Sequence, residues 1–167
     1  MIVFGMTILS LGLCYKKGDW KHWEKYYPTI LFYIIISINE SIITNKKVLW
    51  QFFNSPSWDQ ITDYLLEFIT FPCIIILFLS NYPQTKMKQF FYLISYVFLL
   101  FLSEVGFYIS REIKYYNGWS LWWSFLLYAV AFPLMALHYK HPLLAWPTVI
   151  LLTVGLMFYF KISLMSL

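Results

Sequence analysis

Six apolar runs, separated by short polar or aromatic segments, set the plan of the chain. Residues 2–15 carry no charged side chain. As a helix they rise only about 21 Å, short for a span of ~20 residues. Lys16 and Lys17 extend that run by snorkelling; the alternative is a short helix lying in the membrane interface. Residues 16–27 form a connector in which Trp20, Trp23, Tyr26 and Tyr27 suit the headgroup layer. Pro28 opens a second helix that runs to residue 47. Residues 48–61, interrupted by Asn54-Ser55-Pro56-Ser57, read as a loop in the interface. Further helices are expected over 61–80, 89–110, 119–137 and 142–161. Asn81-Tyr82-Pro83-Gln84 and Asn117-Gly118 supply turns. The loop 138–141 is so short that the fifth and sixth helices must be antiparallel neighbours. Pro133 and Pro147 fall inside those helices, where proline kinks. The runs are continuously apolar rather than alternating, which excludes a β-barrel.

Composition turns this pattern into a solvent assignment. The chain has 167 residues, of which 60% are hydrophobic and 12% charged, against about 25% charged in a soluble domain. Five or six spans consume nearly all of it, so 1–167 reads as a single membrane domain and the bilayer is its first partner. A net charge of +4 without a basic patch on a soluble surface argues against nucleic acid. Calling the face of residues 16–27 side A and the opposite face side B, seven cations fall on side A (Lys16, Lys17, Lys21, Lys25, Lys86, Lys88, Lys140). Five fall on side B (Lys46, Lys47, Arg111, Lys114, Lys161). The excess places side A in the cytoplasm. No Lys or Arg precedes the first apolar run, and Leu13 stands where lipoprotein cleavage before Cys14 wants a small residue, which disfavours a cleaved signal. Cys14 lies near a helix end and Cys73 in mid-span, so the two thiols are expected at different depths with no disulfide between them.

Glu40 and Glu104 each interrupt an apolar helix. A carboxylate in hydrocarbon costs roughly 2.5–3.5 kcal/mol on insertion scales, so each requires a partner, a proton or water. Glu40 lies about 18 Å and Glu104 about 22 Å from side A; both fall in the half of the membrane nearer side B. Asp63 and Glu67 share a face at the start of the third helix, with Glu67 about 9 Å from side B. Ser37, Glu40, Thr44 and Lys47 form a polar stripe on the second helix, and Glu104, Tyr108 and Arg111 a second one on the fourth. Pairing with Arg111 or Lys47 would offset part of the desolvation cost. These residues (Glu40, Glu104, Glu67, Arg111, Lys47 and Tyr108) form one expected ligand- or ion-binding cluster.

Two uses of that cluster compete. As a vestibule open to side B it would bind or pass a cation, a proton or a small polar ligand. As packing glue it would join helices, at about 0.6 kcal/mol for each hydrogen bond, in a structural or assembly subunit. A catalytic carboxylate pair acting on lipid is the distant third, since no nucleophile–base set accompanies it. His138 and His141 invite a metal reading, with His22 or Asp19 nearby, but Pro142 disfavours helix at His141 and both rings suit the interface. Tyr115, Tyr116, Trp119, Trp122 and Trp123 read as an aromatic belt at side B. No pattern calls for a cofactor or a metal.

Four stretches taken in order carry a resemblance: WKHWEKYYPTILF from Trp20, Phe71-Pro72-Cys73, NGWSLWWS from Asn117 and HYKHPLLAW from His138. Together they resemble a family of small, functionally uncharacterised multi-pass membrane proteins of spore-forming Gram-positive bacteria. The resemblance runs from about Trp20 to Trp146. It implies a bacterial plasma membrane and a sporulation or envelope setting, and it transfers no site residue. The expectation is therefore an all-α polytopic transmembrane bundle, with six spans or five plus a short N-terminal interfacial helix. Its function is expected to be non-enzymatic, alone, as a homo-oligomer or with a membrane-protein partner.

Overall fold

The computed structural model describes residues 2–53 and 56–162. In chain order the elements are α1 (Ile2–Lys17), a 3-10 helix (Trp20–Lys25), α2 (Tyr27–Thr44), β1 (Trp50–Phe52) and α3 (Pro56–Leu65). There follow a π-helical turn (Leu66–Thr70), α4 (Phe71–Ser80), α5 (Lys86–Ile109), β2 (Ile113–Tyr115), α6 (Leu121–Lys140) and α7 (Pro142–Tyr159). Five segments are long and apolar enough to cross a membrane: α2, the continuous Ser57–Ser80 segment, α5, α6 and α7.

Hydrogen bonds at the two ends fix the alternation of these helices. On side A the Asn81 amide donates to the Lys17 carbonyl at 3.2 Å, and Thr29 Oγ1 lies 3.1 Å from His138 Nδ1. On side B Lys47 Nζ donates to the Phe160 carbonyl at 2.6 Å, and the Ile2 N–H meets the Glu112 carboxylate at 2.9 Å. Its first residue at side B and its last at side A, α1 runs through the bundle beside the third span. It does not lie flat across the interface. Its buried residues Val3, Thr7, Ser10 and Cys14 follow helical spacing and face α4 and the π turn. At the end of α1, a Cβ on Gly18 would come within 2.8 Å of the Cys14 carbonyl, so the closing turn there needs glycine.

The π turn has an identifiable cause. Pro72 has no N–H for the carbonyl of Phe68, so the helix widens by one residue just before it. The Thr70 hydroxyl donates to the Leu65 carbonyl at 3.1 Å and lies 2.8 Å from the Thr7 hydroxyl. A polar bridge thereby joins α1 to the widened turn.

Burial follows the bilayer as solvent. On α5 the inward residues are Val97, Leu100, Glu104 and Phe107, at helical spacing. On α7 Leu143 and Phe158 are 84% and 81% exposed, as side chains facing lipid tails would be. The main core gathers Phe78, Ile75, Leu100, Phe132 and Tyr26 between α4, α5, α6 and α2.

Several expectations are corrected. The stretch expected to be a plain interfacial loop contains β1, which pairs antiparallel with β2 in the register Gln51↔Lys114; Asn54 and Ser55 of its expected break lie outside the described residues. The third span is entered by a helix that begins at Pro56 rather than at 61, because Asp59 anchors it by accepting the Phe52 N–H at 2.7 Å. The helix α6 continues through His138, which is buried against α2 and stacked on Phe32 at 4.0 Å rather than sitting in the interface. Cys14 and Cys73, expected at different depths, pack in the same core cluster; both are free thiols. The Asn117-Gly118 turn is as the sequence predicts. Both residues have positive φ, 52 and 89, the signature of a type I′ turn.

Candidate functional site: two carboxylate sets

The two glutamates expected at one depth belong to different partners. Glu104 is buried, at 5% exposure, and its two oxygens accept three hydroxyl donors. Tyr115 donates to Oε1 at 2.7 Å, Ser124 to the same oxygen at 2.5 Å, and Tyr128 to Oε2. The Trp119 indole N–H donates to the Ser124 hydroxyl at 3.0 Å, completing a network through α5, β2 and α6. Ser124 and Tyr128 are four residues apart and so present one face of α6. The small sheet brings in Tyr115. Burial and the Glu104 carboxylate both push the Tyr115 phenol above its ordinary range, so it remains a donor at neutral pH.

Tyr108 stacks on Tyr115, ring centroids 5.5 Å apart, and extends this network toward side B. Arg111 does not join it. It lies in the turn after α5, exposed, with no carboxylate partner among the described residues. Lys47 is also elsewhere: it donates to the carbonyl at the C-terminal end of α7, where a cation complements the helix dipole.

Glu40 belongs to the second set. Its Oε1 accepts from Thr44 at 3.0 Å, and its acidic neighbours are Asp63 and Glu67. Glu67 accepts from the Ser37 hydroxyl at 2.6 Å, which ties α2 to the π turn. As whole residues Glu40, Asp63 and Glu67 are half-buried, unlike the buried Glu104. Among the described residues no three His, Cys, Asp or Glu side chains gather into a metal-ligand group, so the set is spread along the helices rather than arranged as a chelate.

A stripe of hydroxyl and carboxyl side chains on α2 runs past this set: Thr29, Tyr33, Ser37, Glu40 and Thr44, spaced four, four, three and four residues apart. Each faces inward while Leu31, Ile35, Ile38 and Ile42 are exposed. Thr29 bonds His138 near side A, and Ser37 bonds Glu67 nearer side B. Between them Tyr33, one turn from Ser37 on the same face, packs its ring on Phe71 with centroids 5.0 Å apart. Sequence reasoning found the stripe only from Ser37 onward. Thr29 and Tyr33 lie on the same helical period, so that signal was available. The hydroxyls of Tyr115, Ser124 and Tyr128 were missed altogether.

Fold and site together define a class, a multi-pass α-helical membrane protein with a buried glutamate held by hydroxyl donors. Compared with protein-family models, with curated proteins and with solved structures, the chain matches none.

Proposed function

We propose that the protein exchanges or passes protons through the membrane along the inward stripe of α2, with Glu40, Asp63 and Glu67 as the proton-exchanging groups near side B. The observation that carries this reading is the stripe itself. Four hydroxyls and one carboxyl, Glu40, lie on one face of the helix from Thr29 to Thr44, and a neutral group at position 40 would suffice for packing. Ionisable groups inside a membrane mark ion paths and proton relays. The set has no bonded cation among the described residues, and its members do not converge as metal ligands. A proton suits such a spread arrangement better than a chelated divalent ion; a monovalent cation attracted to the same carboxylates is the narrower form of the proposal.

The test is proton flux into proteoliposomes holding a pH-sensitive dye, under an imposed potential. Flux above empty vesicles that falls by at least about tenfold in Glu67→Gln, with folded protein retained, supports the reading; wild-type flux equal to empty vesicles contradicts it.

The Glu104 network favours a second use. With three donors filled and Trp119 behind them, it serves as the interhelical glue of a structural or assembly subunit, working with a membrane-protein partner or a second copy. The bacterial plasma membrane and the spore-former family are proposed on the resemblance of the Trp20–Trp146 stretches alone.

A further inference from the structure

A cleft of about 840 Å³ opens on side B between the end of α5, β2 and the start of α6. Tyr108, Tyr115 and Trp119 line its inner wall, Arg111 and Lys114 its rim, and Trp122 its lipid side. Both cations are exposed, and neither has a carboxylate partner among the described residues. Trp122 and Ile109 are 74% and 75% exposed, so this wall faces acyl chains while the rim sits at headgroup level. Tyrosine and tryptophan are the residues that occupy that level.

The backbone adds a second observation. The helix α5 ends with the Glu112 N–H bonded to the Phe107 carbonyl at 2.8 Å and the Arg111 N–H to the Tyr108 carbonyl at 3.1 Å. That pairing puts the intervening residue in the left-handed region, a place normally held by glycine. Here it is Arg111, with φ 61. The same turn closes α7 at Lys161, with φ 52; at the end of α5 it fixes an arginine at the mouth of the cleft. A planar guanidinium at the mouth of a cleft suits the oxygens of a phosphodiester, and Lys114 adds a point charge beside it.

We propose that this cleft holds the phosphate-bearing headgroup of an anionic phospholipid, with Arg111 and Lys114 as its ligands and the aromatic wall against its glycerol and upper acyl carbons. The inference is independent of proton exchange on α2 and rests only on the chain lying in a bilayer.

The test uses the full chain in nanodiscs of phosphatidylcholine with a minor share of phosphatidylglycerol, followed by native mass spectrometry of lipids retained on the protein. Retention of phosphatidylglycerol in excess of its bulk share is expected. Arg111→Gln and Lys114→Gln are each expected to reduce that excess by about fivefold, and Arg111→Lys to keep most of it. Arg111→Gly, which relaxes the backbone while removing the charge, is expected to lose the excess as Arg111→Gln does and serves as the control for misfolding. Retention in proportion to bulk lipid, or an excess untouched by both neutral variants, would overturn the proposal. So would displacement of the lipid by millimolar inorganic phosphate, which would make this a free-anion site.

Discussion

Ser37 donates a 2.6 Å hydrogen bond to Glu67 and so ties the middle of α2 to the π turn of the third span. Glu67 sits in that turn because Pro72 widens the helix just after it. One missing N–H thus shapes the backbone around the carboxylate that the proposed proton path requires. Pro72→Ala is expected to restore regular helical bonding there, to shift Glu67 away from Ser37 and to lower proton flux, while the protein stays folded. Hydrogen exchange over residues 64–74 is the structural readout: slower exchange with flux unchanged would separate the π turn from the path.

The Glu104 network makes the opposite kind of claim, about stability. Glu104→Leu removes the acceptor of three hydroxyl protons, at about 1–3 kcal/mol for each group left unsatisfied. The folded fraction in detergent is expected to fall steeply. Ser124→Ala removes one donor and is expected to cost only about 1 kcal/mol. Equal, small losses for the two variants would show that the network does not hold α5, β2 and α6 together.

Arg111 predicts a gain. Replacing a non-glycine residue in the left-handed region by glycine relieves roughly 1 kcal/mol of strain. Arg111→Gly is therefore expected to raise thermal stability in neutral-lipid nanodiscs, even as it weakens anionic-lipid retention. A destabilised variant would show that the arginine side chain holds the turn through contacts of its own.

Cys14 and Cys73, adjacent between α1 and α4, predict efficient crosslinking. A membrane-permeant thiol oxidant is expected to close an intramolecular disulfide without dimer formation, seen as a shift on a non-reducing gel that Cys14→Ser abolishes. Failure to crosslink would place α1 elsewhere, and with it the sixth helix of the bundle.

The side-A connector carries a pH prediction. His22 Nδ1 lies 2.6 Å from Asp19 Oδ1, the Tyr26 hydroxyl donates to Asp19 Oδ2 at 3.1 Å, and Lys25 Nζ is 4.0 Å away. The bond to His22 chiefly holds the Asp19 carboxyl below its ordinary range, and burial with the Asp19 contact pushes Tyr26 up to about 12. A depressed carboxyl contributes its stabilisation above the unfolded value and loses it as pH falls through the folded one. The connector is therefore expected to keep its conformation down to about pH 4 and to loosen below it. Amide exchange over residues 19–26 reports this, and Asp19→Asn is expected to remove the dependence.

The spans were legible in the sequence because bilayer-spanning helices announce themselves as long apolar runs, and the Asn117-Gly118 turn because only such residues tolerate two positive φ values in succession. The β1–β2 pair was not, since each strand is three residues long and the partners come from opposite ends of three helices. Counting along the helices gives an expected depth, which put Glu40 and Glu104 near side B. Rotation about each helix axis was not readable, and it is rotation that sends Glu104 to Tyr115, Ser124 and Tyr128 and Glu40 toward Asp63. Lys47 and Arg111 were misassigned for a related reason: long side chains at helix ends reach carbonyls and solvent as readily as a buried acid. The Cys14–Cys73 contact was lost because the direction of α1 was left open.

The most direct measurement of proton exchange on α2 is the labelling of membrane carboxyls by a hydrophobic carbodiimide, which reacts with the protonated acid, located by peptide mass spectrometry across a pH series. Labelling of Glu40, Asp63 and Glu67 that declines as pH rises, and that a membrane-impermeant quencher suppresses from one side only, is the predicted result. Labelling that is absent from all three, or that is independent of pH, would contradict it.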